Sequence, residues 1–302
     1  GNVDVKKIDY TLIIELLDKK ALELSTSSIQ GIIALLKNVF NFCYNNAYID
    51  RMPFNELKIA GKEKESTIKS KIIDTDTFDL MISDAEPYYQ IAFYIAYYTG
   101  CRLGEVLALT RNDIDFDNKV INVNRQIQWR QVKRSKKDIK KTNGTSESLG
   151  YWYFTSPKYK SYRVIDIDDV LVSILKEEYE KQKRDEEHYG EFYKKYYSEF
   201  QLLFSVQKNK EKEIPLNEVF TKETDFGVDF VCRREDGSYV TSRTLQNVSN
   251  AVHKELDIPG YDTYSLRHTH GTMLIENGAD MVYVQRRLGH KNINVTMNIY
   301  TN

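Results

Sequence analysis

Only three cysteines, Cys43, Cys101 and Cys232, occur in 302 residues, far apart and odd in number. No disulfide framework is expected from them, and they read as free thiols of a reducing compartment. None is spaced with a histidine or a second cysteine as zinc ligands are. No uninterrupted apolar stretch approaches the roughly 20 residues of a membrane span, and no leader-like segment opens the chain. An excess of charge is missing too: 43 Lys and Arg stand against 44 Asp and Glu, a net charge of −1. That balance speaks at first against a polyanionic partner, for which a basic domain is expected.

The distribution of charge answers the objection. From Arg111 to Arg163 there are 13 Lys/Arg against 5 Asp/Glu, and from Asp166 to Glu199 there are 11 acids against 6 bases. Local potential governs phosphate binding, so one basic and one acidic face can sum to zero and still hold a nucleic acid. The acidic stretch reads as a solvated, salt-laced helix face.

What is present suffices for two domains. A helix is expected over Asp9 to Leu24, with Leu12, Leu16 and Leu17 on its apolar face. The Ser25 to Ser28 cluster opens a second, with Ile29, Ile32, Ile33, Leu36, Val39, Phe40 and Cys43 at helical spacing, closed by Arg51-Met52-Pro53-Phe54. The polar run from Ala60 to Lys71 has no apolar face and reads as a strap. The expected division is therefore a helical domain at 1–62, a linker at 63–72 and a second domain at 73–302.

In the second domain Thr75 to Met81, Tyr88 to Tyr98 and Leu103 to Leu109 read as helices, with Arg102 at the Gly100 turn. Three strands follow at Lys119 to Trp129, Tyr151 to Thr155 and Arg163 to Ile167, with Lys158 in the turn between the second and third. The basic, then Gly/Ser/Thr-rich segment Arg130 to Gly150 is long for a hairpin loop. Val170 to Arg184 reads as a charged helix, and Glu186 to Pro215 as an insertion without chemistry. An Asp236-Gly237 turn precedes a helix face of Leu245, Val248, Val252 and Leu256.

Residues Thr263 to Asn302 carry the strongest pattern. Gly278 closes one helix, Asp280 opens the next, Gly289 closes that one, and Asn292 or Asn294 caps a last helix bearing Tyr300. Cationic groups, Arg267-His268-Thr269-His270 and Leu288-Gly289-His290, fall at the junctions, where side chains of different helices can meet one ligand. No carboxylate cluster accompanies these histidines, so metal-ion catalysis is disfavoured and no cofactor is expected. A cationic pocket suits a phosphate instead, because the planar arginine fork makes bidentate contacts and stays charged.

SLRHTHGT, LIENGAD, QRRLGH and a tyrosine ten residues after the histidine resemble the C-terminal half of the tyrosine recombinase (integrase) family. Upstream, Thr99-Gly100-Cys101-Arg102-Leu103-Gly104-Glu105 resembles that family's first arginine box, and Ser156-Pro157-Lys158-Tyr159-Lys160-Ser161 its lysine hairpin. The resemblance implies a mainly α fold with a small antiparallel β-sheet, a helical core-binding domain clamping DNA beside a tyrosine-recombinase catalytic domain. It implies that Arg102 and Arg267 clamp the scissile phosphate and that His290 donates a hydrogen bond to it. Lys158 would protonate the leaving 5′ oxygen, and Tyr300 would attack to form a 3′-phosphotyrosine. Tyr264 stands where the family pattern has a histidine; a phenol can donate to phosphate but is a poor base at neutral pH.

The implied activity is site-specific cutting and rejoining of double-stranded DNA sites in a homotetrameric synapse through a Holliday junction. A mobile element's integrase is favoured, with a possible accessory directionality factor, no membrane partner and a cytoplasmic, nucleoid-associated place. The alternatives are a type IB topoisomerase-like nicking-closing enzyme and a decayed, binding-only protein. Gly1 falls inside a helical domain and Asn302 just after Tyr300, so a fragment is expected.

Overall fold

The structure, a computed structural model, describes residues 3–59, 72–131, 150–198, 213–218, 225–257 and 263–300, the side chains of 298–300 excepted. The chain divides into two compact units, Gly1–Lys69 and Ser70–Asn302. The linker expected at 63–72 lies, Ile72 apart, outside the described residues.

The first unit is built on α1 (Tyr10–Ala21) and α2 (Thr26–Asn45). Each starts where a side chain satisfies an orphan backbone donor: Asp9 accepts from Leu12 N at 3.0 Å, and Ser25 accepts from Ser28 N. Ile13 and Leu17 of α1 meet Ile29, Ile33 and Phe40 of α2, and Ile49, Phe54 and Leu57 close the core. The Phe40 and Phe54 rings pack edge to face at 5.6 Å. Leu12 and Leu16, expected on the buried face, are nearly half exposed. The i, i+4 stripe that is buried runs one residue further on, about 100° around the helix.

The second unit is organised around α4 (Pro87–Thr99). This helix buries Tyr89, Ile91, Ala92, Phe93, Ile95, Ala96 and Tyr97, so it is covered on every side and shows little amphipathic pattern. Pro87 supplies a helical φ in its first turn, and Gly100 ends it at φ +65°. α3 (Thr75–Asp84) precedes it. The helix expected to reach Leu109 is the single turn α5 (Leu103–Val106).

All strand pairing is antiparallel, as expected, but the strands fall into separate sheets. The expected strand Lys119 to Trp129 breaks into β2 (Val120–Val123) and β3 (Gln126–Gln131). β2 lies between β1 (Ile114–Asp115) and β5 (Arg163–Asp166), whereas β3 pairs with β4 (Gly150–Thr155). Lys158 therefore sits on a crossover between two sheets and not at the tip of a simple hairpin. The cause is Arg125 at the break. Its guanidinium is buried against the Asp113 carboxylate, Thr110 Oγ1 and the Ala108 carbonyl, so the chain turns inward there.

β6 (Tyr196–Ser198) pairs with β8 (Phe226–Val228), and β7 (Ile214–Pro215) extends the sheet of β3 and β4. The segment 132–149 inside the expected long loop and 199–212 inside the expected insertion lie outside the described residues. α6 (Asp169–Tyr189) packs against α4, and α7 (Ser242–Glu255) against α3, with Leu245 and Val252 buried as expected. α8 (Thr263–Glu276), α9 (Met281–Leu288) and α10 (Ile293–Tyr300) complete the unit. Asp280 caps α9 through Val282 N and Tyr283 N, Gly289 ends it, and Asn292 Oδ1 accepts from Val295 N at the start of α10.

A candidate active site where three helix junctions meet

α8 packs along α4 with a buried face that is largely polar: Ser265, Arg267, Thr269 and His270 are all covered. Buried polar groups cost free energy unless paired, so each of these must find a specific partner. Thr269 Oγ1 accepts from Ile73 N at 3.0 Å. His270 Nδ1 lies 2.9 Å from the Tyr97 carbonyl, and its Nε2 accepts from Arg287 Nε at 2.9 Å. With Nε2 accepting, Nδ1 carries the proton and the ring is neutral. Burial first, then Arg287, pushes the pKa of His270 down to about 3. His270 thus ties α8 to α4 and α9.

Arg267, 1% exposed, is the largest fully buried side chain described. Its Nη1 donates to the Gly100 carbonyl at 2.7 Å and its Nη2 to the Leu288 carbonyl at 2.6 Å. Its Nε is buried and has no hydrogen-bond partner among the described residues. Both acceptors lie at helix C-termini, where the backbone dipole favours a cation. Burial, then the neighbouring Arg102 charge, pushes the Arg267 pKa down to about 10, which still leaves it charged at neutral pH.

Arg102 opens α5, one turn beyond Gly100. Its Nη2 donates to the Gly289 carbonyl at 2.7 Å, and its Nη1 to Glu105 Oε1 at 2.9 Å. The two guanidiniums are therefore anchored side by side on one turn, Arg267 on the Leu288 carbonyl and Arg102 on that of Gly289. Glu105 is fully buried, and Arg163 Nη2 reaches its other oxygen at 2.7 Å. Burial alone would raise the Glu105 carboxyl, but Arg163 and then Arg102 hold it below its usual range. Two guanidiniums share this one carboxylate and Arg267 has none among the described residues, which leaves local positive charge for an anion.

His290 follows Gly289, and its Nδ1 lies 2.8 Å from the hydroxyl of Thr296, a fully buried residue of α10. Burial, then Arg267 and Arg102, pushes its pKa down to about 3, so the ring is neutral at neutral pH. The structure thus brings Arg102, Arg267 and His290 together. Lys158 is not in direct contact with them; it lies exposed in a short 3₁₀ turn with its ammonium over the Tyr159 ring at 5.2 Å. Tyr264, one helical turn before Arg267, is 46% exposed and packs edge to face on His268 at 4.7 Å. Tyr300 ends α10, and its side chain lies outside the described residues.

Sequence reasoning missed Arg163, Ser161 and Thr296 as parts of this junction, and assigned Glu105 no role in it. An arginine opening an otherwise apolar strand was the one local sign of Arg163. Among the described residues, no group of three His, Cys, Asp or Glu could hold a metal ion, and no helix is long and apolar enough to cross a membrane.

A helical unit followed by a mainly helical domain with small antiparallel sheets is a fold shared with solved structures of DNA-bound proteins. The Tn1549 transposon integrase in complex with transposon right end DNA superposes with a TM-score of 0.66 over all of this chain and 84% of that one, at 17% identity. The XerH site-specific recombinase bound to palindromic difH substrate gives 0.58, covering 98% and 67%, at 14% identity. Residues 71–302 match the Phage integrase family, and the chain belongs to that family.

Curated relatives include a tyrosine recombinase XerC-like protein of Caldanaerobacter subterraneus, 27% identical over 92% of this chain and 62% of its own. The prophage integrase IntR of Escherichia coli is 23% identical over 90% and 56%. The ICEBs1 integrase of Bacillus subtilis is 22% identical over 98% and 67%. The chain thus spans 56% to 67% of these relatives' lengths.

Proposed function

We propose that this protein is a site-specific DNA recombinase that cuts and rejoins strands through a 3′-phosphotyrosine at Tyr300, inserting or excising a mobile element. The observation that carries the proposal is the pair Arg102 and Arg267, held by adjacent carbonyls, Gly289 and Leu288, of one helix-ending turn, beside a neutral His290 that lies ten residues before Tyr300. A phosphodiester bound there has its nonbridging oxygens faced by fixed cations in a water-poor site, where such charges are worth most. The orphan Nε of Arg267 is a donor for one of those oxygens.

In this reading Tyr300 Oη forms the new bond to phosphorus while the bond to O5′ breaks. O5′ takes a proton from the Lys158 ammonium, and the phenolic proton is lost to solvent. His290 donates through Nε2, which requires the Thr296 hydroxyl to donate to Nδ1. Tyr264 assists as a hydrogen-bond donor to phosphate. Energy held in the phosphotyrosine lets a different 5′ hydroxyl attack, so strands are exchanged without ATP. The first unit clamps the duplex, four copies assemble on paired sites, and an accessory factor sets direction.

A suicide substrate nicked beside the scissile phosphate tests this. Wild-type protein is expected to trap as a covalent adduct that maps to Tyr300, while Tyr300→Phe binds DNA and forms none. Arg267→Ala should lose trapping by at least ~100-fold. An adduct at another residue, or none, would defeat the proposal. Two marked sites incubated together should yield recombinants; relaxation alone would make the protein a nicking-closing enzyme.

A further inference from the structure

We infer that Arg163 is a positioning residue that carries Lys158 to the scissile phosphate by riveting its turn to the turn that bears His290. The inference rests on the reading of Lys158 as the general acid. The turn from Lys158 to Lys160 is exposed, and two of its residues, Tyr159 and Lys160, sit at φ +62° and +54°. Non-glycine residues there cost about 1 kcal/mol or more each, so the turn must be held from outside itself.

The hold is supplied at its C-terminal end. Arg163 Nη1 donates to the Ser161 carbonyl at 3.1 Å, Nη2 to Glu105 at 2.7 Å, and Nε to the Arg287 carbonyl at 2.7 Å. One guanidinium thus joins the lysine turn, the carboxylate that also holds Arg102, and the last turn of α9. Its side chain is only 7% exposed.

The closeness of the two turns is visible at Gly289. A Cβ there would stand 2.9 Å from Ser161 Oγ and 3.1 Å from Arg163 Nη1, and φ is +68°. Glycine lets the lysine turn lie directly on the backbone that precedes His290. Arg163 touches no reacting atom in this arrangement. Its effect on the chemistry passes through the place it gives Lys158, and so through protonation of the leaving oxygen.

That assignment separates it from the phosphate clamp. A DNA site with sulfur in place of the scissile bridging 5′ oxygen expels a thiolate, which needs no proton on departure. On ordinary DNA, Arg163→Gln and Arg163→Lys in the 302-residue chain are expected to cleave at least ~100-fold more slowly, the range of a lost general acid. Both should keep DNA affinity within severalfold. On the sulfur-bridged site both should return to within about tenfold of the unsubstituted protein, as should Lys158→Ala, while Arg267→Ala stays slow on both substrates.

Rescue of Lys158→Ala without rescue of either Arg163 variant overturns the positioning role and leaves the lysine reading intact. No rescue of Lys158→Ala overturns the lysine reading itself. Unchanged cleavage by both Arg163 variants, or loss of DNA binding by both, also overturns the inference. In the first case the rivet is dispensable; in the second it holds up the fold and not the lysine.

Discussion

Arg287 donates from Nε to Nε2 of His270 at 2.9 Å, and burial, reinforced by that guanidinium, holds the imidazole in its neutral form. His290 is held neutral by burial first, then by the charges of Arg267 and Arg102. Two helix junctions of the second unit therefore depend on histidines that the folded protein does not protonate near neutrality.

A pH dependence of stability follows. Both folded pKa values, about 3, lie below the ordinary 6.5, so the unfolded chain binds the extra protons as pH falls. The contribution is fully present above pH 6.5 and is lost progressively between 6.5 and about 3. Each histidine should remove about 1 kcal/mol per pH unit in that window. Urea melts of the second unit at pH 7.5 and 5.5 should differ accordingly, and His270→Asn should reduce the difference. Equal stability at both values would refute the assignment.

Gly100 stands at φ +65°, and a Cβ there would lie 2.5 Å from the Leu288 side chain and 2.8 Å from His270. Gly100→Ala is expected to destabilise the second unit by about 2–4 kcal/mol, from left-handed backbone strain and overpacking together. Because the Gly100 carbonyl also anchors Arg267, cleavage should fall in protein that remains folded. A variant with unchanged melting would mean that the junction repacks freely.

Tyr264 lies on the same face of α8 as Arg267 but is a weak base at neutral pH. Tyr264→His is expected to raise the single-turnover cleavage rate, by about tenfold, with little change in DNA affinity. Quench-flow measurement at pH 7.5 decides the point, and a flat or lower rate would show that the phenol is not what limits proton removal.

Binding to duplex DNA should weaken steeply with salt, since phosphate contacts release counterions. For about 6–10 contacts, affinity drops by roughly 10³–10⁵ between 50 and 200 mM salt. Arg267→Ala should lower the slope of log affinity against log salt by about one. A shallow slope in the unsubstituted chain would place the main contacts elsewhere than the phosphates.

Much of the fold was legible in short stretches of chain. Asp9, Ser25 and Asp280 cap helices where the pattern placed them, and Gly100 and Gly289 end helices in the left-handed conformation. These signals act over four or five residues, and the backbone needs of a helix end are the same wherever it sits. The arginine at the Gly100 turn and the histidine after Gly289 were legible for that reason. Amphipathic spacing misled at Leu12 and Leu16, because neighbouring apolar residues can share a face that the partner helix only partly covers.

The residues alone marked where several helices start and stop, and they set the expectation of two domains and of the groups to look for around a phosphate. Tertiary structure decided which of those groups meet. Arg102 is joined to Gly289 across 187 positions and Arg267 to Gly100 across 167, and β2 finds β5 while β3 finds β4 because Arg125 turns inward between them. Buried charges must be matched by whatever acceptor the packed chain brings near, and no local pattern records that match.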